Sequence, residues 1–178
     1  WFMPNGNPPH KRPEQTGIRT RDRLAMVKLA IEGIPRFFLQ TYEAEKRTVS
    51  YSYETMEHLR EACPERTFYY IIGADSLFQV ETWKHPERFL RSCTMIAAKR
   101  EHRETDDALE SQIRHLKERY KTVILFSRAP VFEVSSSKIR EMVKRGEDIH
   151  HLVPPSVASY IYNHHLYRED IEVEQRNS

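Results

Sequence analysis

The segment Phe68-Tyr69-Tyr70-Ile71-Ile72, followed at once by Gly73-Ala74-Asp75, decides the fold of this chain. Its five aromatic and β-branched residues predict a β-strand. Because no polar residue alternates with them, we expect both faces of the strand to be covered, as in a parallel sheet. The strand is predicted to end at the glycine.

Helices and strands alternate on both sides of this segment. Apolar spacing predicts helices over 22–31, ended by Gly33 and Pro35, and from Ser52 to just before Pro64. The elements predicted after the segment are a helix over 87–92, a strand over 93–98, a helix over 108–120 and a strand over 123–126. This order predicts an α/β fold, a Rossmann-like doubly wound parallel sheet with flanking helices, with ligands beyond the carboxyl ends of its strands.

The two ends of the chain extend this pattern. Residues 1–4 are interpreted as the inside of a buried strand, and residues 37–39 as another short strand. A helix after the serines at 135–137 is predicted to stop at Gly146, and a last helix to start near Ser156 as its cap. We therefore expect one domain over 1–167 with a C-terminal helical segment, and a charged tail or linker over 168–178.

Composition excludes several classes of protein. The 178 residues are 39% apolar and 30% charged, and no run approaches the ~18 apolar residues that a membrane span requires. Cys63 and Cys93 have neither Cys-x-x-Cys nor zinc-site spacing, so we expect buried thiols in a cytoplasmic protein. The net charge of +2 is small for a nucleic-acid binder, and aromatic residues are not interleaved with basic ones as base stacking requires. The local excess of cations over residues 10–23 favours an anionic small molecule.

A second informative segment is Val131-Phe132-Glu133-Val134-Ser135-Ser136-Ser137-Lys138-Ile139-Arg140. It places three hydroxyls at a helix start, where free backbone amides and the helix dipole attract anions. Arg140 follows Ser137 by one turn, so its planar guanidinium can reach the same phosphate. Serines before a helix are more often ordinary N-caps, and this segment alone leaves both interpretations open.

Three further segments are candidates for ligand binding. Gly73 would allow close approach of a ligand, and Asp75 would either accept hydrogen bonds from ribose or cap a helix. Trp83 would either stack on a flat ligand or fill the core. The loop Pro8-Pro9-His10-Lys11, stiffened by two prolines, would either present its cations to phosphate or be a solvated basic loop.

In order and spacing, these segments resemble the bacterial nicotinate mononucleotide adenylyltransferases of the nucleotidyltransferase superfamily. The resemblance covers most of the chain. It is carried by Trp1-Phe2-Met3-Pro4-Asn5, Pro8-Pro9-His10-Lys11, Arg23-Leu24-Ala25-Met26, Ser50-Tyr51-Ser52, Ile71-Ile72-Gly73-Ala74-Asp75, Thr82-Trp83, Lys99-Arg100, Val134-Ser135-Ser136-Ser137-Lys138-Ile139-Arg140, Leu152-Val153-Pro154-Pro155 and Leu166-Tyr167.

The resemblance implies a role for each matching position. The residues implied at the ATP phosphates are Ser135, Ser137, Arg140, His10 and Lys11, and the last three would be catalytic. Gly73 and Asp75 would line the nucleotide crevice. Trp83 would stack on the nicotinate ring, while Ser52 and the backbone amide of Lys84 would meet its carboxylate.

The implied reaction transfers the adenylyl group of ATP to nicotinate mononucleotide and gives nicotinate adenine dinucleotide and pyrophosphate in NAD biosynthesis. Mg²⁺ would be held mainly by substrate phosphates, since the sequence shows no dedicated metal cage. The alternatives are an adenylyltransferase for nicotinamide mononucleotide or pantetheine phosphate, and a nucleotide-binding module without activity. The sequence leaves the oligomeric state open, a homo-oligomer included.

The chain departs from the family pattern at several positions. Ser52 stands in place of a threonine and keeps the hydroxyl, whereas Asp22 stands in place of a histidine and Glu101-His102 in place of Pro-Gly. The family's glycine-rich first strand and His-x-Gly-His segment would precede Trp1. We therefore expect the native protein to carry an additional N-terminal strand and helix, and residues 1–178 alone to be poorly soluble and inactive.

Overall fold

A computed structural model describes residues 1–6, 18–46, 48–98, 106–127 and 134–168. The chain forms two compact units. The split unit comprises Trp1–Val49 and Val134–Ser178, and the central unit comprises Ser50–Glu133. Helices flank a parallel sheet, so the predicted α/β class is confirmed.

The helices and strands of the described ranges follow one another along the chain. In order they are α1 (Thr20–Ile31), α2 (Tyr42–Glu45), α3 (Ser52–Ala62), β1 (Tyr69–Gly73), α4 (Ala74–Gln79), a 3-10 turn (Val80–Thr82), α5 (Pro86–Ser92), β2 (Thr94–Ala98), α6 (Asp106–Tyr120), β3 (Ile124–Ser127), α7 (Ser136–Lys144) and α8 (Pro155–Asn163). The predicted elements of the central unit are confirmed to within two residues. The short helix α4 and the 3-10 turn were not predicted.

The central unit contains a parallel sheet in the order β1-β2-β3. Ile72 is in register with Ala97, and their side chains lie on the face that packs against α4 and α5. The fully buried residues of this core are Ala74, Leu77, Val80, Phe89, Leu90, Met95, Ala97, Leu109 and Leu116. Burial of this apolar surface is the main source of stability for the unit.

The opposite face of the sheet is open, so the predicted coverage of both faces of residues 68–72 is wrong. Tyr69 is 57% exposed and Ile71 is 71% exposed, while Leu125 on β3 is 46% exposed on the same face. A strand without alternating polar residues is rich in apolar side chains, but this pattern does not show that both of its faces are covered. Coverage depends on what packs against each face, which the local sequence does not specify.

Helix ends follow the predicted stop signals. α1 ends before Gly33 and α7 before Gly146, and both glycines have a positive φ, +75° and +72°, which glycine adopts without strain. α3 ends before Pro64. Its last residue, Ala62, is exposed, and the buried face of the helix ends one turn earlier, at Leu59.

The split unit has its own small core, in which α7 and α8 pack together with α1. The buried residues are Met142, Val143, Ile149, Val157, Ala158 and Ile161. Asp22 is only 6% exposed, and its carboxylate accepts a hydrogen bond of 2.9 Å from the hydroxyl of Tyr160. Burial, and then this hydrogen bond, raise the pKa of Tyr160. The aspartate that departs from the family pattern therefore ties α1 to α8.

The strands predicted at 1–4 and 37–39 reduce to a single parallel bridge between Phe2 and Leu39. The N–H of Phe2 donates to the carbonyl of Phe38 at 2.8 Å, and the N–H of Gln40 donates to Phe2 at 2.9 Å. Trp1 and Phe2 are 45% and 40% exposed, so the prediction of a buried strand is wrong. Apolar sequence alone does not bury a strand, because burial requires neighbours on its faces.

Two further predictions need correction. Pro155 starts α8 and Pro154 is its N-cap, so Ser156 lies inside the first turn and donates to the carbonyl of Leu29 at 3.4 Å instead of capping. Cys63 and Cys93 were both expected to be buried, and both are half-buried. Burial nevertheless raises the pKa of the Cys93 thiol to about 12. Residues 169–178 lie outside the described ranges, so the domain limit and the tail remain predictions.

Candidate functional site

Ser135 is the N-cap of α7. Its Oγ accepts a hydrogen bond of 3.1 Å from the backbone N–H of Lys138, so the capping interpretation is confirmed for this serine. The cap occupies an acceptor position of the hydroxyl, and its O–H can still donate to another group. Capping and phosphate binding are therefore compatible at Ser135.

Arg140 lies beside Ser137, as the one-turn spacing predicts. Its Nη2 donates to the Oγ of Ser137 at 3.0 Å. Ser135, Ser136 and Ser137 are exposed, whereas Arg140 is half-buried. The structure therefore brings two hydroxyls, a guanidinium and the first amides of a nine-residue helix to the same end of α7.

A second cation, Arg23, lies in the neighbourhood of Arg140. The sequence analysis assigned no role to Arg23. Burial raises the pKa of Tyr167, and the positive charges of Arg140 and Arg23 oppose this rise, so both lie near the phenol. Arg23 donates to the carbonyl of Gly6 at 3.3 Å and to the hydroxyl of Thr20 at 3.2 Å. Its Nε is buried and has no hydrogen-bond partner among the described residues.

Gly73 and Asp75 lie where β1 passes into α4. Gly73 has an extended conformation, with φ −72° and ψ 155°, and is the N-cap of α4. Asp75 is therefore in the first turn of the helix and does not cap it, which corrects the capping alternative. Its carboxylate is exposed at the carboxyl end of a parallel strand, the edge at which such sheets bind ligands.

Ser52 is the first residue of α3. The N-cap of α3, Tyr51, makes no side-chain capping hydrogen bond, so the first amides of this eleven-residue helix have no acceptor from the cap. The hydroxyl of Ser52 lies at the same helix end. This end of α3 therefore offers hydrogen-bond donors and the positive end of a helix dipole to a carboxylate.

Trp83 and Lys84 follow the 3-10 turn and lie next to the start of α3. The ring of Trp83 is half-buried, with its centroid 5.2 Å from that of Phe89. The ring of His85 makes an edge contact with Tyr53, with centroids 4.9 Å apart. Because Tyr53 follows Ser52 and His85 follows Lys84, the structure brings together the two segments predicted to bind nicotinate.

Proteins of known family share sequence with most of this chain. The cytidylyltransferase-like family matches residues 1–142. A probable nicotinate-nucleotide adenylyltransferase of Clostridium kluyveri is 35% identical over 94% of this chain and 83% of its own length. The chain belongs to the nicotinate-nucleotide adenylyltransferase family. Probable members from Clostridium tetani and Lactiplantibacillus plantarum are 38% and 36% identical over 94% and 95% of this chain, and 82% and 74% of their own lengths.

Solved structures agree on the fold. Plasmodium falciparum nicotinic acid mononucleotide adenylyltransferase, complexed with NaAD, has a TM-score of 0.65 at 17% identity and covers 93% of this chain and 80% of its own. Its complex with APC has a TM-score of 0.63 at 19% identity, over 83% and 75% of the two chains. These likenesses confirm the Rossmann-like fold.

Arg88 links α5 to α3, whose start is predicted to bind nicotinate. The sequence analysis did not identify this residue. Its guanidinium lies 4.4 Å from the centroid of the Tyr53 ring. It also donates to both carboxylate oxygens of Glu57, at 2.9 and 2.5 Å. Arg88 and Glu57 are 31 residues apart, and no local pattern links them. This clamp holds α5 against the start of α3.

Two predicted site residues, His10 and Lys11, lie outside the described residues. The same is true of Lys99 and Arg100, which carry the family resemblance without an assigned role. The α7 end belongs to the split unit, while the residues at β1 and α3 belong to the central unit. Ligand binding beyond the carboxyl ends of the strands therefore remains a prediction. In the part of the chain that the structure describes, no helix is long and apolar enough to cross a membrane.

Proposed function

We propose that this protein transfers the adenylyl group of ATP to nicotinate mononucleotide, with nicotinate adenine dinucleotide and pyrophosphate as products. The observation that carries the proposal is the 35% identity over 94% of the chain to a probable enzyme of that name. It is supported by the family residues at α7, at β1 and at the start of α3. A cytoplasmic role in NAD biosynthesis belongs to the same proposal.

The start of α3 suits the nicotinate group. Its first amides and the Ser52 hydroxyl would donate to the carboxylate, together with the backbone amide of Lys84. Trp83, whose ring packs against Phe89, would stack on the pyridine ring. A helix dipole stabilises an anion but not a neutral amide, so we expect nicotinate to be preferred over nicotinamide mononucleotide.

The start of α7 suits the phosphates of ATP. In the reaction, an oxygen of the nicotinate mononucleotide phosphate forms a bond to the α-phosphorus, and the bond from that phosphorus to the bridging oxygen breaks as pyrophosphate leaves. This step needs no side-chain nucleophile. Ser135, Ser137 and Arg140 would hold the phosphates, with His10 and Lys11 beside them, and would neutralise the developing charge.

Mg²⁺ is proposed as the metal of this reaction, held mainly by the substrate phosphates. Among the described residues, no group of three or more His, Cys, Asp or Glu side chains gathers around one point. Mg²⁺ commonly takes phosphate and water oxygens as ligands, so the proposed ion does not require a cage of protein side chains. When bound, the ion would supply charge neutralisation at the phosphates.

Replacement of Trp83 tests the nicotinate site. We expect Trp83→Ala to raise KM for nicotinate mononucleotide about tenfold or more, because base–aromatic stacking contributes ~1–3 kcal/mol. KM for ATP should change little. Trp83→Phe keeps an aromatic ring beside Phe89 and is the matched control, with a smaller rise. Equal KM values for nicotinate mononucleotide in wild type and a folded Trp83→Ala variant would refute this role.

A further inference from the structure

A cavity of about 350 Å³ lies at the amino ends of the three strands of the central unit. Its lining includes the residues that directly precede the strands, Phe68, Cys93 and Val123. Gly73 lies at the carboxyl end of β1, at the other edge of the sheet. The cavity is thus separate from the residues to which the proposed reaction has been assigned.

The lining of the cavity is strongly basic. It includes Arg60, Arg66, Arg91 and Lys121, and none of the described lining residues is acidic. Arg60 donates from its Nη1 to the backbone carbonyl of Arg91 at 3.2 Å. This bond fixes one edge of the guanidinium and leaves further N–H donors of Arg60 for a ligand.

Cations at this edge have an ordinary structural role, because α3, α5 and α6 all end here. Each helix end carries about half a negative charge, so three ends offset about 1.5 positive charges. Glu65, at 3.3 Å from Arg66, offsets one more. Four cations and no acidic residue line the cavity among the described residues, so the lining itself carries more positive charge than the three helix ends offset.

The remaining walls of the cavity indicate the kind of anion. Phe68, which is half-buried, lines the cavity together with Thr67 and Thr94, whose side chains carry hydroxyl groups. Its volume is at the small end of the ~300–1,000 Å³ range for ligand sites. Guanidinium and hydroxyl donors around a small, partly apolar cavity match a phosphate group attached to an organic body.

We propose that this cavity binds a small phosphate monoester, no larger than a mononucleotide, at a second site distinct from the substrate site. The cations of the lining attract the phosphate, the arginines donate to its oxygens, and Phe68 contacts the organic part. This proposal does not depend on the proposed enzymatic activity. It stands or falls on binding at the amino edge of the sheet.

Titration of ¹⁵N-labelled protein with AMP tests the proposal, with uncharged adenosine as the matched probe. The backbone amides of Thr67, Thr94 and Thr122 report on the cavity, whereas that of Lys138 reports on the α7 site. We expect AMP to shift the three threonine amides with a saturable curve, and adenosine to leave them unchanged. No saturable shift at these amides in the folded protein would overturn the proposal.

Two variants make the test specific. Lys121 has a φ of +53°, which glycine adopts more readily, so Lys121→Gly removes the charge without harm to folding. Arg91 is exposed, so Arg91→Gln should also fold. We expect each variant to weaken AMP binding at the cavity about tenfold, since each removes a charge-assisted contact. Lys117→Gln, a change on α6 outside the cavity, should have no effect. Equal affinities in all four proteins would refute the site.

Discussion

At the scale of the residue, Arg140 offers the sharpest test of the phosphate site. Its side chain contacts Ser137, is half-buried and does not belong to the buried core. We expect Arg140→Ala to weaken ATP binding about tenfold to a hundredfold, because hydrogen bonds to charged groups contribute ~1.5–3 kcal/mol. The melting temperature should change little. Calorimetric titration with ATP measures the affinity.

Lys138→Ala is the matched control for Arg140→Ala. The backbone N–H of Lys138 forms the cap with Ser135, whereas its side chain is exposed, so this variant removes a charge from the same helix turn without loss of the cap. Its affinity for ATP should stay within about threefold of wild type. Unchanged ATP affinity in a folded Arg140→Ala variant would contradict the phosphate role, and a large fall in its melting temperature would show that Arg140 is a structural residue.

Single residues also show what the sequence can predict about a site. The pairing of Ser137 with Arg140 was predictable because one helical turn fixes it. The clamp of Arg88 on Glu57 was not, because residues 31 apart meet only through the packing of α5 on α3. The role of Ser156 was mispredicted, because Pro154 is the N-cap of α8, two residues before the predicted cap.

At the scale of the element, Glu81 ties the 3-10 turn to α6. Its carboxylate accepts from the Tyr120 hydroxyl at 3.0 Å and lies 3.2 Å from Nε2 of His115 and 3.5 Å from Nη1 of Arg119. Burial alone would raise the pKa of Glu81, but these three partners outweigh it, so the pKa lies below the ordinary 4.5. The stabilisation is therefore fully present above pH 4.5 and is lost as the pH falls through the lower folded pKa.

Glu81→Gln should lower the free energy of unfolding by about 1 kcal/mol at pH 7, since it removes the charge from this cluster. The difference from wild type should shrink as the pH falls through the lowered pKa of Glu81, where the wild-type carboxylate also becomes neutral. Urea denaturation at pH 7 and at a pH below that pKa measures it. Glu118→Gln, at an exposed position of α6, should change stability by less than about 0.5 kcal/mol. A loss for Glu81→Gln that is the same at both pH values would contradict the electrostatic origin.

Ile71 and Ile72 test the open face of the sheet with two identical, adjacent residues. Ile72 is buried among the helices, whereas Ile71 is 71% exposed. We expect Ile72→Ala to cost ~2–5 kcal/mol in the free energy of unfolding and Ile71→Ala less than about 1 kcal/mol, because only the first leaves a cavity. Thermal and urea denaturation of the two variants measure the difference. Similar losses would show that this face is covered in solution.

The limits of the helices and strands were predicted better than the burial of their faces. The limits of α3 follow from apolar spacing and from Pro64, which are local signals. The exposure of Ile71 depends on neighbours distant in sequence, and periodicity carries no information about them. α4 was missed because its six residues are too few to show a helical period.

At the scale of the whole molecule, the two units carry different parts of the proposed reaction. The split unit holds the α7 end with Arg140, and the central unit holds the ends of β1 and α3 with Asp75 and Ser52. Substitutions at Arg140 and at Trp83 are therefore expected to weaken the use of ATP and of nicotinate mononucleotide, respectively.

Pyrophosphate release by the protein expressed from its complete reading frame tests the central claim most directly. The assay contains ATP and Mg²⁺, and offers nicotinate mononucleotide and nicotinamide mononucleotide in separate reactions. We expect pyrophosphate to be released when ATP and nicotinate mononucleotide are both present. We also expect kcat/KM to be higher for nicotinate mononucleotide than for nicotinamide mononucleotide, because the start of α3 favours a carboxylate. A folded protein that binds ATP but releases no pyrophosphate with either mononucleotide would contradict the account.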